Sequence, residues 1–135
     1  WYWMKFIKLL STLAVFVFAS TNAIAGNYAD VSIDQLEQAI EAGSVVVLDV
    51  NGSKRYAKGH VPGAIDFSSA QNLAAMLPED KSTMIVAYCG GPRCSAYKKA
   101  AKAAEKLGYT NVKHLSAGIS GWKDAGKPLE KGAAN

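Results

Sequence analysis

A parallel α/β sandwich is the fold class that this sequence of 135 residues predicts, and three observations predict it. Two continuous apolar runs, residues 45–50 and 84–88, are too short for helices and too uniformly apolar for strands wetted on one face. Both therefore read as strands buried on two sides. Segments of helical periodicity alternate with them, the pattern of a parallel sheet joined by crossover helices. The length suits one compact domain with one core. Half of the residues are hydrophobic and 19% are charged, with 12 glycines and 4 prolines, which excludes disordered, collagen-like and coiled-coil classes.

The first segment reads as a secretory address. After an aromatic start (Trp1, Tyr2, Trp3), taken as an upstream extension, come Met4, Lys5 and Lys8, then an apolar stretch over residues 9–19 broken only by Ser11 and Thr12. Ala23-Ile24-Ala25 presents small residues where a signal peptidase reads them, so residues 1–25 are the expected signal and cleavage falls before Gly26. The apolar stretch is shorter than the roughly 20 residues that cross a bilayer, which argues against a retained anchor. A periplasmic or secreted single domain of residues 26–135 follows, with no membrane contact once the signal is gone. Removing Lys5 and Lys8 lowers the formal charge from +4 to +2. No run of five Lys/Arg occurs, so a nucleic-acid partner is not expected.

In the mature part, Ser32-Ile33-Asp34-Gln35 forms a capping box. Ile33, Leu36, Ala39 and Ile40 then repeat at helical spacing up to Gly43, which suits a left-handed helix end. Residues 45–50 are the first strand, ending near Asp49. Residues 53–58 read as a helical turn, 64–67 as a short extended piece, and 70–77 as a helix stopped by Pro78. Residues 84–88 are the second strand. The longest helix runs from Ser95 or Ala96 to Leu107 and ends at Gly108; its Ala100, Ala101, Ala103 and Ala104 permit close approach to a sheet. Residues 112–115 form another strand, and 120–125 a last short helix in which Trp122 is a core anchor.

Ligands of parallel sheets sit at the carboxyl ends of the strands, and Asp49 and Cys89 fall at two such ends. The stretch Cys89-Gly90-Gly91-Pro92-Arg93-Cys94-Ser95 joins a strand-end thiol, a glycine-rich turn, an arginine and a helix start. Glycines let backbone N–H groups converge, and the helix dipole adds positive charge that favours a thiolate and holds an anion beside it. A buried core thiol at an ordinary turn is the alternative reading of Cys89. Lys98 and Lys99 either extend the cationic field or form a solvated helix face. Two cysteines are too few for a structural zinc site, and no haem, P-loop or dinucleotide motif occurs, so neither metal nor cofactor is expected.

These residues carry a resemblance to the rhodanese-like sulfurtransferases. Val47-Leu48-Asp49-Val50 is similar to the family's first signature strand, and Gly59-His60-Val61-Pro62-Gly63-Ala64 to its G-H-[IV]-P-G-A motif. Val86-Ala87-Tyr88-Cys89 resembles the strand into its catalytic cysteine, and residues 107–112 with 115–122 its closing pattern. The resemblance implies a three-layer sandwich around a mostly parallel sheet of about five strands. It further implies a Cys89 nucleophile that takes sulfane sulfur from thiosulfate or polysulfide as a persulfide, within a loop from Cys89 to Cys94 that cradles it with backbone amides. The acceptor would be cyanide or a thiol, or an unnamed protein. In the matching motif His60 is chiefly structural; Asp49 supports the loop, and His114 reads as packing.

Departures from the family pattern are specific. Asn51 stands where an arginine is common, and Cys94 where the loop's arginine usually stands, with Arg93 one position earlier. Cys89 and Gly108 are 19 positions apart, two more than usual. Cys94 is open to three roles: a disulfide partner, a resolving thiol that attacks the Cys89 persulfide and releases reduced sulfur, or a spectator. Three readings thus stand beside one another: a sulfurtransferase, a sulfur carrier without turnover, and a thiol-disulfide protein using Cys89 and Cys94. A cysteine-loop phosphatase is the fourth and least favoured, because Tyr88 and Ser95 occupy the places of its histidine and its phosphate-binding arginine.

Overall fold

A computed structural model describes residues 28–133 of the chain. The signal segment, residues 1–25, lies outside the described residues. Five strands form one sheet: β1 (Ala29–Asp30), β2 (Val45–Asp49), β3 (Ile65–Asp66), β4 (Met84–Tyr88) and β5 (Val112–His114). The order across the sheet is β1-β5-β4-β2-β3, and every pairing is parallel. Five helices connect them: α1 (Ile33–Glu41), α2 (Ser53–Lys58), α3 (Leu73–Met76), α4 (Tyr97–Lys106) and α5 (Gly118–Asp124). The predicted α/β three-layer sandwich is therefore the observed one.

Strand alternation sorts the core into two halves. Val47, Val86 and Tyr88 point to the face covered by Leu36 of α1, Tyr56 of α2 and Trp122 of α5. Leu48, Ile85, Ala87 and Cys89 point to the opposite face, under Tyr97, Ala100, Ala101 and Ala104 of α4. The central strands are apolar on both faces because helices cover both. Ala100, Ala101 and Ala104 are fully buried, the close approach that small side chains permit, while Ala103 is half-buried. At α1 the capping box forms as read: Gln35 N–H donates to Ser32 Oγ at 3.0 Å and Ser32 N–H to Gln35 Oε1 at 2.9 Å.

Two local readings are corrected and one element is added. Residues 70–77 are not one helix: a 3-10 turn spans Phe67–Ser69, Ala70 is extended, and α3 is only Leu73–Met76. Asn72 starts it afresh, its side chain accepting from Ala75 N–H, and Leu77 is extended as a residue before proline prefers to be. The last helix begins at Gly118 rather than Ser120. Finally, β1 has two residues and no periodicity by which to be read; it exists because β5 offers an open edge. There Val31 N–H donates to the His114 carbonyl at 2.8 Å, and the Asp30 carboxylate accepts from Ser116 N–H and Oγ–H, each at 2.8 Å.

His114 packs as predicted but at a cost. Its ring stacks on Tyr97 with centroids 3.4 Å apart, and its buried Nε2 has no partner among the described residues. Burial holds its pKa below the usual 6.5, with Lys98 acting in the same sense and Asp30 against it. The unfolded chain thus binds a proton near pH 6.5 that the folded chain resists, so the group costs nothing well above that value and destabilises the fold as the pH falls below it. His114→Phe keeps the stack and removes the titration. Its urea midpoint is expected to fall less than the wild type's between pH 7.5 and pH 5, and equal falls would refute this account.

Candidate active site

The site is assembled at the carboxyl ends of β2 and β4, as parallel sheets dictate. Asp49 ends β2 fully buried. Its Oδ2 accepts from the Tyr88 hydroxyl at 2.5 Å and its Oδ1 from Asn51 N–H at 2.8 Å. Burial raises its pKa, and these two hydrogen bonds, which favour the carboxylate, oppose the rise. The Tyr88 hydroxyl in turn accepts from Val61 N–H at 3.1 Å, and burial followed by the Asp49 charge raises its pKa. Asp49 thus fixes the strand end that presents Cys89 and the start of α2. Tyr88→Phe strands a buried carboxylate oxygen and the Val61 amide, so a loss of about 1–3 kcal/mol in urea unfolding is expected.

His60 braces this frame from behind. Its Nδ1–H donates to the Tyr56 carbonyl at 2.8 Å, its ring stacks on Tyr56 at 3.6 Å, and its backbone pairs with Glu130 through two 2.9 Å bonds. Its Nε2 lies 3.5 Å from Glu130 Oε2. All of these partners are structural.

Cys89 follows β4 and is 2% exposed. Its sulfur is joined to Cys94 by a disulfide, with the two Cα atoms 6.2 Å apart, a separation that suits such a bond. Of the three roles open to Cys94, the structure shows the disulfide. Within the bridged loop Cys94 N–H donates to the Gly91 carbonyl at 3.1 Å. The loop is also tied from outside. Ile119 N–H donates to the Cys89 carbonyl and Ser120 N–H to the Gly90 carbonyl, each at 3.0 Å. These are first-turn amides of α5, which lack partners in their own helix, and the loop carbonyls supply them. This is why α5 begins two residues earlier than its sequence suggests.

Two depressions meet at Gly90 and Ser120. The first, about 180 Å³, is lined by Asn51, Arg55, Lys58, Gly59, Ile119 and Lys123 besides those two. Three cations and no acid face it, so an anion is attracted to the loop's edge. The second, about 500 Å³ and more open, lies over Gly91, Pro92, Arg93 and Cys94. Of the residues named from the sequence, Gly90, Gly91, Pro92, Arg93 and Cys94 line a depression and Cys89 lines neither; Arg55, Lys58, Ser120 and Lys123 line one without having been named. The spacing of Arg55 and Lys58, one helical turn apart before Gly59, was a usable signal; Lys123 had none, since only folding carries α5 to the loop. Ser95, Lys98 and Lys99 are exposed and line neither depression. Among the described residues no group of three His, Cys, Asp or Glu side chains is placed to hold a metal.

The sequence profile of the rhodanese-like domain matches residues 32–125. An HTH-type transcriptional regulator of Mycobacterium tuberculosis is 39% identical over 95 residues, which is 69% of this chain and 41% of the regulator. The match therefore spans less than half of that protein. A thiosulfate sulfurtransferase of Shewanella oneidensis is 28% identical over 102 residues, covering 73% of this chain and 96% of that enzyme. Among solved structures, a protein of Bacillus halodurans superposes with a TM-score of 0.65 at 30% identity, covering 77% of both chains.

Proposed function

The chain belongs to the rhodanese-like domain family, and from that membership we propose that it is an exported sulfurtransferase working through a Cys89 persulfide. With the Cys89–Cys94 bond reduced, the Cys89 thiolate attacks the outer sulfur of thiosulfate, a new S–S bond forms, and sulfite leaves with the electron pair. A polysulfide donates in the same way. Attack by cyanide or a thiolate on the outer persulfide sulfur then returns Cys89 as thiolate. One observation carries the reading: the thiol ends the central strand at a loop whose edge opens on a cleft with an all-cationic charged lining of Arg55, Lys58 and Lys123. That lining supplies the charge that the arginine replaced by Asn51 would otherwise bring.

Export follows from residues 1–25, and outside the cytoplasm a disulfide persists unless something reopens it. A protein dithiol is accordingly the proposed partner that keeps Cys89 available. The disulfide itself favours a second reading, a thiol-disulfide protein, although four residues separate the cysteines rather than the two of common redox pairs. Intact mass decides between them. The reduced chain, treated with thiosulfate or polysulfide and desalted, is expected to gain sulfur and to lose it to cyanide as thiocyanate. Gain without discharge to any acceptor indicates a carrier. No gain, with the loss of two hydrogens only, indicates the redox reading.

A further inference from the structure

The two sulfurs of the bridge are not equally placed. Cys89 is 2% exposed and packs with Ala87, Tyr97 and Ala100, and it lines neither depression. Cys94 is only partly buried and forms part of the wall of the open depression of about 500 Å³, beside Arg93, the one charged residue of that wall. A disulfide is opened by a nucleophile arriving at one sulfur while the other departs, and access decides which sulfur is attacked. An attacker from solvent meets Cys94. Cys89 offers no comparable surface while the bridge is closed.

We propose that the oxidised form is itself a sulfur acceptor: hydrosulfide attacks Cys94 and leaves a Cys94 persulfide and a Cys89 thiolate. The kind of anion rests on the sulfurtransferase reading; the position attacked rests on the burial difference alone. The step balances without any further reagent. The Cys89–Cys94 bond breaks as a new S–S bond forms between Cys94 Sγ and the incoming sulfur, and its electron pair stays on Cys89. Incoming sulfide is oxidised, Cys89 is reduced, and the single negative charge passes from hydrosulfide to the Cys89 thiolate. Hydrosulfide suits this depression because it is anionic at neutral pH, which Arg93 favours, and one heavy atom in size.

Sulfur on Cys94 is thereby placed in the open depression, exposed to an acceptor, while sulfur on Cys89 sits at the buried strand end. One loop would then load at different sulfurs in its two redox states: oxidised, at Cys94 by sulfide; reduced, at Cys89 by thiosulfate.

Trypsin separates the two cysteines, because cleavage after Lys81, Arg93 and Lys98 places Cys89 in residues 82–93 and Cys94 in residues 94–98. The full chain is oxidised, shown by mass to have lost two hydrogens, treated with sodium sulfide, alkylated at the earliest time point and digested. Uptake of one sulfur per chain is expected, found as an alkylated persulfide on the Cys94 peptide, with Cys89 recovered as a plain alkylated thiol. Cys94→Ser is expected to show no uptake of sulfide. Sulfur on Cys89, two bare thiols, no reaction, or failure of the disulfide to form would each overturn the proposal. The reduced chain treated with thiosulfate is read alongside. Loading there without sulfide uptake sinks this inference and spares the sulfurtransferase reading; the reverse pattern sinks that reading and spares this inference.

Discussion

Cys89→Ser is expected to abolish persulfide formation and thiosulfate-dependent thiocyanate production, a fall on the order of 10³-fold or more, to the uncatalysed background. A serine side chain is of similar size and occupies the same buried strand end, so the fold is expected to be kept. What disappears is the nucleophile, because a hydroxyl does not ionise near neutral pH at a site without a neighbouring base. The substitution also removes the disulfide, which closes a short loop and stabilises the oxidised chain by about 2 kcal/mol in the loop-entropy account. The two effects separate cleanly under reducing conditions. There neither protein has the bridge, so thermal midpoints should differ only by the cost of burying a serine hydroxyl, while sulfur uptake differs completely. Uptake by the reduced variant equal to wild type would show that Cys89 is not the acceptor.

Gly118→Ala is expected to be among the most damaging substitutions outside the loop. A Cβ built at residue 118 would lie 2.5 Å from Gly91 N, 2.6 Å from Gly90 C and 2.8 Å from the Cys89 carbonyl oxygen. All three are backbone atoms, which cannot turn aside as a flexible side chain does. The residue also has φ +60°, which costs a residue with Cβ about 1–2 kcal/mol before any clash is counted. Relief requires α5 and the loop to part, and parting them breaks the bonds from Ile119 and Ser120 to the Cys89 and Gly90 carbonyls. A loss of about 2–4 kcal/mol is expected, of the size of a disrupted buried network. In a chain that still folds, slower sulfur loading of the reduced protein should accompany it. An unchanged urea midpoint would show that the close approach is not maintained in solution. Gly126→Ala is a useful contrast, since it shares a positive φ, +71°, but has nothing within 4 Å of the added Cβ.

Legibility in the sequence followed the range of the physics. The α1 capping box and the left-handed Gly43 were readable because their partners stand within a few residues of each other. The core strands were readable because burial on two faces leaves an unbroken apolar run. The segment over residues 70–77 was misread: its alanines and leucines suit a helix, and the restart at Asn72 depends on a side chain competing for the backbone. β1 was invisible, as two residues carry no period.

The sequence by itself determined the layers and their order, the strand end on which Cys89 stands, the glycine-rich turn that follows it, and the family to which the chain belongs. Each of these is written in local pattern or in motif order. Only the tertiary structure decided which cations face the loop, that α5 holds its carbonyls, and that Cys89 is buried while Cys94 faces an open depression. Arg55 and Lys58 stand 68 and 65 positions before Lys123, on two different helices, and nothing local ties them together. The exposure of the two cysteines is likewise set by their packing: Cys89 is enclosed in the cluster with Tyr97 and Ala100 of α4, whereas Cys94 packs against that cluster and also forms part of the wall of the open depression. Spacing along a chain cannot encode which side of a disulfide is covered, because covering is done by residues distant in sequence.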